Sequence, residues 1–145
     1  MKKYMSVAIM LLLCAGNMIY AISNSPADED QIKKVVTQFM DGVDNKDIGS
    51  LEKVLIDNGT FVDVNNIANI VTRYSTSDLY DKIKSRKLGG WKRDYSIVSV
   101  DENSDIAVVK VKVNSSKISQ FQLVSLAKMD GSWKIVSSCT TVEKK

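Results

Sequence analysis

The sequence predicts an α+β domain, with helices first and an antiparallel sheet after them, from three features of the chain. Ile32, Val35, Val36, Phe39, Met40 and Val43 recur at three- and four-residue spacing, which gives a helix one apolar face that must pack on something. Phe121 to Ser138, FQLVSLAKMDGSWKIVSS, sets two runs of β-type residues on either side of Asp130-Gly131. A type I′ hairpin turn needs positive φ at both central residues, which Asp tolerates and Gly adopts without steric cost. The β-rich segments of the C-terminal half are joined by connections of a few residues, short enough to make neighbours antiparallel.

Taken in order, Ser25-Pro26 reads as a helix entry, with Ser as cap, Pro at the first helical position and acidic residues in the first turn. That helix runs to about Val43. Asp47 caps a second, shorter helix whose inward residues are Ile48, Leu51, Val54 and Leu55, and Asn58-Gly59 ends it. Thr60 to Val64 is a strand, Asn65-Asn66 a turn, and Ile67 to Tyr74 the second arm of a small hairpin. Thr76-Ser77-Asp78 begins a third helix carrying Leu79, Tyr80 and Ile83, which ends in basic residues before Gly89-Gly90. Strands follow near Asp94 to Val100, Asp105 to Val113, Ser119 to Met129 and Ser132 to Thr141. Helices followed by a run of strands is the pattern of helices packed on one face of a sheet.

The strand near Asp105 places Ala107, Val109, Val111 and Val113 on one face and Ile106 and Val108 on the other. A sheet covered on one side has no need of the second set. A homodimer formed sheet to sheet would bury it; cover by the N-terminal leader or by the curl of the sheet would do the same.

The first residues have the form of a secretory signal: Met1-Lys2-Lys3, the apolar run Val7 to Ala15, and Ile19-Tyr20-Ala21 before a cut. The run is too short to span a bilayer as a permanent helix. An exported chain, periplasmic or secreted, is expected, with residues 1–21 removed and residues 22–145 forming one domain. Cys14 raises lipid attachment as an alternative, although Leu13 before it is a poor fit to the small residue such processing prefers. Loss of Lys2 and Lys3 leaves 18 of the 20 basic residues against 17 acidic ones. A nearly neutral chain with short basic runs (Lys33-Lys34, Lys84 to Lys87, Lys92-Arg93) argues against a nucleic-acid partner. Cys139 would be the single cysteine left, so no internal disulfide is expected. The absence of histidine removes Ser-His-Asp and Cys-His nucleophile systems and most zinc arrangements, and no metal or cofactor is expected. Asn58-Gly59-Thr60 and Asn114-Ser115-Ser116 match the glycosylation acceptor and read as turns.

The order helix, helix, hairpin, helix, long antiparallel strands resembles the nuclear transport factor 2-like (cystatin-like cone) superfamily. FQLVSLAKMDGSWKIVSS is similar to the end of its lumazine-binding-like and polyketide-cyclase-like branch. Phe39-Met40-Asp41-Gly42-Val43-Asp44, Leu51-Glu52 and Asp57 to Phe61 are similar to the start of that branch. The resemblance implies a curved antiparallel sheet that forms a cone with the helices, its open end admitting a ligand between aromatic walls. Phe39, Asp63, Tyr74, Tyr80, Trp91 and Tyr95 are the candidate ligand-binding residues on that footing, each with an ordinary reading as a core or hairpin side chain. Trp133 reads as structural, pinning the last hairpin.

Ketosteroid isomerase, in the same superfamily, pairs a carboxylate base with a tyrosine and a protonated carboxylic acid as oxyanion donors. Matched onto this chain the base falls on Asp63, the tyrosine on Phe39 and the second acid on Ser125, so both donors of that pattern are lost. Losing even one such donor costs about a hundredfold or more in rate. Cyclases of the branch rely on an acid–base pair that includes histidine, absent here. The leading expectation is therefore an exported binding domain for a small, partly aromatic or apolar molecule, with no evident catalytic set. The alternatives are an isomerase- or cyclase-type enzyme using Asp63 as general base, and a non-catalytic interaction or dimerisation module.

Overall fold

The computed structural model describes residues 26–114 and 117–145. The expected leader at residues 1–21, Cys14 within it and the Ser25 cap lie outside the described residues, as do Ser115 and Ser116. Helix α1 (Pro26–Asn45) buries Ile32, Val36, Phe39, Met40 and Val43, the face its spacing marked. It ends where Lys46 turns into left-handed backbone, φ 59°, and the Asp47 N–H donates to the Gly42 carbonyl at 2.8 Å. Asp47 then caps α2 (Ile48–Val54), its Oδ1 accepting from the Ser50 N–H at 3.1 Å.

Helix α2 stops at Val54, short of the expected Asn58-Gly59, and Leu55 opens β1 (Leu55–Asn65). The reason is tertiary. Leu55 pairs with Ile135 and Thr60 with Ser137, so β1 spends five residues where its neighbour spends two, and the excess bulges. The Thr76 hydroxyl holds that bulge by donating to the Ile56 carbonyl at 2.8 Å. Gly59 is needed for this approach, since a Cβ there would stand 2.8 Å from Thr76 Oγ1. In the next hairpin Asn65 Oδ1 accepts from the N–H groups of Ile67 and Ala68, so the turn is longer than Asn65-Asn66 and β2 (Ile70–Ser75) starts three residues later than expected. Ser75 and Asp78 form a reciprocal capping box on α3 (Thr76–Lys84).

Strands β3 (Asp94–Asn103), β4 (Ile106–Asn114), β5 (Ile118–Met129) and β6 (Ser132–Lys144) follow as an antiparallel meander. Asp130 (φ 50°) and Gly131 (φ 75°) make the last turn, as their residue types require. The six strands form one sheet in the order β2-β1-β6-β5-β4-β3. Its pairs are antiparallel except one: β1 lies parallel to β6. That pairing joins segments some eighty residues apart, which local turn chemistry does not specify. The three helices pack on the face that carries Phe61, Val109, Val111, Val124 and Ile135, all buried. The other face leaves Val98, Ile106, Val108 and Leu123 about half exposed.

Two ties fix α1 to the sheet. At its start, Asp28 Oδ1 accepts from Lys128 Nζ at 2.7 Å and from Trp133 Nε1 at 3.1 Å, so Trp133 joins the last hairpin to the helix. At its end, the buried Asp44 accepts from the Arg93 backbone N–H at 2.8 Å and from Arg93 Nε at 2.5 Å. The connection before β3 is drawn in beside it, with the Gly90 N–H donating to the Asp44 carbonyl at 2.8 Å.

Gly89 and Gly131 both have φ near +75°, but a Cβ on Gly89 would lie 2.0 Å from the Val43 carbonyl oxygen, while one on Gly131 would meet nothing within 4 Å. Gly131→Ala is expected to cost about 1 kcal/mol, the left-handed backbone penalty alone, and Gly89→Ala about 3 kcal/mol, by urea denaturation. Equal losses would mean that the 85–93 connection is not held against α1.

Candidate functional site

The register of the sheet brings a polar strip onto its helix-covered face. Across that face Phe61 on β1 stands between Tyr74 on β2 and Ser138 on β6, and Ser138 is opposite Val124 on β5. In the next row, Asp63 stands between Thr72 and Thr140, and Thr140 is opposite Gln122, which faces Val111. Gln122, Ser138 and Thr140 are buried. Gln122 Nε2 donates to Ser138 Oγ at 3.0 Å, which fixes the amide and leaves its oxygen as an acceptor. Among the described residues, no protein donor reaches that oxygen, although it is fully buried.

A buried acceptor without a donor is uncommon and costs free energy relative to an apolar side chain of the same shape. Among the described residues one other buried side-chain oxygen is in this position, Glu102 Oε2 on β3. Burial, with the negative charge of Asp28 beside it, holds the Glu102 carboxyl above its ordinary range, so a proton can relieve it. An amide has no such recourse.

Beside the strip runs an aromatic ladder. Phe39 on α1 stacks on Phe61 at 6.1 Å between ring centres, and Phe61 on Tyr74 at 5.5 Å. Lys82 on α3 covers the remaining face of Tyr74, its Nζ 3.5 Å from the ring centre. Outside Tyr74, between β2 and α3, lies an open cleft of about 520 Å³ lined by Thr72, Arg73, Tyr74, Lys82 and their neighbours. Burial, then the negative charge of Asp63 and a hydrogen bond to it, hold the Tyr74 hydroxyl well above its ordinary range, with Arg93 offsetting part of the effect. At pH 7 Tyr74 is therefore a neutral phenol beside Asp63.

Of the six candidate residues, Phe39, Asp63 and Tyr74 thus come together. Tyr95 lies at the rim, opposite Val113 on the same face, with its hydroxyl 3.4 Å from Asp41 Oδ1; burial raises it above its ordinary range. Tyr80 is half-buried on α3 and likewise raised, chiefly by burial. Trp91 is 62% exposed in the connection before β3. Ser125, the counted position of a second acid, falls on the opposite face of β5, since Val124 and Leu126 are the buried ones. Gln122, Ser138, Thr140 and Arg93 were not among the candidate site residues; the signal for Gln122 was a polar residue in phase with Val124 and Leu126. No group of acidic residues and cysteine that could hold a metal ion occurs among the described residues.

Residues 27–139 match the profile of a family described as "Putative lumazine-binding". No curated protein matches the chain. Solved structures show the fold. An NTF2-like protein of unknown function from Silicibacter pomeroyi is 16% identical, with 81% of this chain and 97% of that one covered and a TM-score of 0.69. An NTF2-like protein from Methylobacillus flagellatus is 19% identical, covering 84% and 97%, with a TM-score of 0.70. A cystatin-like fold protein from Nostoc punctiforme is 15% identical, covering 82% and 93%, with a TM-score of 0.64. The architecture is that of the nuclear transport factor 2-like superfamily.

Because the folded state raises the Tyr74 pKa, the stability tied to this hydroxyl is complete below pH 10 and is lost as pH climbs from 10 towards the folded value. Wild type is expected to lose stability faster than Tyr74→Phe across that window, by urea denaturation at stepped alkaline pH. Parallel profiles would mean that the hydroxyl is not buried against Asp63.

Proposed function

We propose that this chain, which belongs to the "Putative lumazine-binding" family, binds a small, flat, partly aromatic molecule that carries hydrogen-bond donors. The observation that carries the reading is Gln122 Oε1: a buried acceptor, fixed in direction by Ser138 and unmet by any described protein donor, in a strip with Thr140 and Asp63. Polar groups few in number on an otherwise apolar wall are what orient a small ligand. The stacked rings of Phe39, Phe61 and Tyr74 stand beside them as an apolar border, and Asp63 is a second acceptor. A heterocycle with ring N–H groups, the class to which lumazine belongs, has donors to match.

Binding rather than catalysis is favoured by what surrounds Asp63. Phe39 has no hydroxyl, Ser125 stands on the far face of the sheet, and the chain has no histidine to complete an acid–base pair. Export is supported by the cationic start and apolar run of residues 1–15. A homodimer is supported by Val98, Ile106, Val108 and Leu123, exposed on the sheet face that no described helix covers. No described helix is long and apolar enough to cross a membrane.

Native mass spectrometry of protein purified from its own host tests the binding reading directly, with lumazine as an added probe in thermal shift. A retained mass or a stabilising shift is expected in wild type. Gln122→Leu removes the unmet acceptor at nearly constant volume, so it should keep or raise the melting temperature of the free protein and abolish the response. No retained mass and no shift in wild type would overturn the reading. For the dimer, Val108→Glu should convert a sedimenting dimer to monomer; a wild type that sediments as monomer at about 100 μM, well above the Kd of a stable interface, refutes it.

A further inference from the structure

One segment of this chain is densely cationic. Lys82 to Arg93, KIKSRKLGGWKR, holds six cations and no carboxylate, while the remaining 14 basic residues are outnumbered by 17 acidic ones. Two of the six work inward: Lys82 over Tyr74 and Arg93 on Asp44. Lys84, Arg86, Lys87 and Lys92 are exposed and form no ion pair among the described residues. Lys46 joins them, because a Cβ on Gly90 would stand 2.8 Å from its Nζ. The nearest acidic residues in sequence, Asp81 and Asp94, flank the segment without breaking it.

The same segment carries Trp91, 62% exposed, while the other tryptophan, Trp133, is 3% exposed. Leaving an indole in water is unfavourable, and here it is not the result of a loose loop. Asp44 takes the Arg93 N–H and Nε, its carbonyl takes the Gly90 N–H, and an Arg93 guanidinium N–H donates to the Met40 carbonyl at 3.3 Å. Leu88 packs on the core. Trp91 and Lys92 are thus held outward between anchored residues on both sides.

We propose that this cap docks the protein on an anionic phospholipid surface, with Trp91 entering the headgroup layer and Lys46, Lys84, Arg86, Lys87 and Lys92 facing the phosphates. An exposed indole in a segment rich in ammonium and guanidinium groups matches the two components of that surface, a wet–apolar boundary and a sheet of negative charge. A soluble inorganic polyanion such as polyphosphate would satisfy the cations and leave the indole without a role.

The test uses residues 22–145, which contain every described helix and strand, with circular dichroism as a check of folding. Binding to large vesicles of phosphatidylcholine with 25% phosphatidylglycerol is compared with binding to pure phosphatidylcholine, by co-sedimentation and tryptophan emission. Expected are at least about tenfold tighter binding to the anionic vesicles, weakening with salt, and a blue shift that Trp91→Ala removes. Lys84→Ala with Lys87→Ala should weaken binding about fivefold per cation lost, while Lys53→Ala and Lys144→Ala, exposed cations elsewhere, should not. Equal binding to both vesicles, no binding, or the same loss from the two control lysines would overturn the proposal. So would tighter binding to soluble polyphosphate than to vesicles with no change in Trp91 emission, which would assign the cap to a polyanion.

Discussion

The arrangement depends on one buried carboxylate. Asp44 sits at the last turn of α1 at 4% exposure, where an ionised group is tolerable only if it is paired and hydrogen-bonded. Arg93 meets it through both its backbone and its side chain, and that geometry does three things together. It sets the point at which β3 enters the sheet, it ties the far edge of the sheet to the helix that lies across it, and it closes the 85–93 connection against Val43 and Asp44. A hydrophobic pair of similar volume would hold α1 on the sheet as firmly, but it would not dictate direction. The specific fork between a carboxylate and an arginine aims the backbone on either side of it.

The two faces of the sheet show a related inversion. The helix-covered face is apolar at Phe61, Val109, Val124 and Ile135, yet it admits Gln122, Ser138 and Thr140 in adjacent strands, while the uncovered face exposes Val98, Ile106, Val108 and Leu123. Stability alone would favour the opposite placement of these groups, polar out and apolar in. Glu102 and Gln122 mark different solutions to burial: the first lies near Asp28 and Lys128 and can neutralise itself by taking a proton, the second cannot change its state and keeps an open valence. An open valence that persists in a core is a feature a binding partner can use.

Much of this was legible in the chain. Asp130-Gly131, the stripe from Ile32 to Val43 and the start of α3 at Thr76-Ser77-Asp78 are local signals, and local chemistry realises them. The end of α2 was not legible, because Gly59 serves a close approach to Thr76 that exists only after folding. Nor was the β1–β6 pairing, which bridges nearly the whole domain. Ser138 and Thr140 were hidden by an irregularity: Ser125 pairs with Ser137 and Leu126 with Ile135, so Val136 is an extra residue and the inward phase of β6 changes after it. Strict alternation from Trp133 and Ile135 would have pointed Ser137 and Cys139 inward. Trp91 was read as a cavity wall from its residue type, and residue type alone does not say on which side of a chain an aromatic will stand.

The same pair, Asp44 and Arg93, links the two regions that remain chemically unspent. Arg93 contributes positive potential at Tyr74, and two residues earlier in the chain it fixes Trp91 outward. A rotation of the Trp91 segment about its own axis would have to break the hydrogen bonds to the Asp44 carboxylate and leave that charge buried without its partner, a state disfavoured by several kcal/mol. The basic cap and the polar strip are therefore coupled as rigid parts, not as a flap over a hole. Whatever approaches the cap meets it already formed.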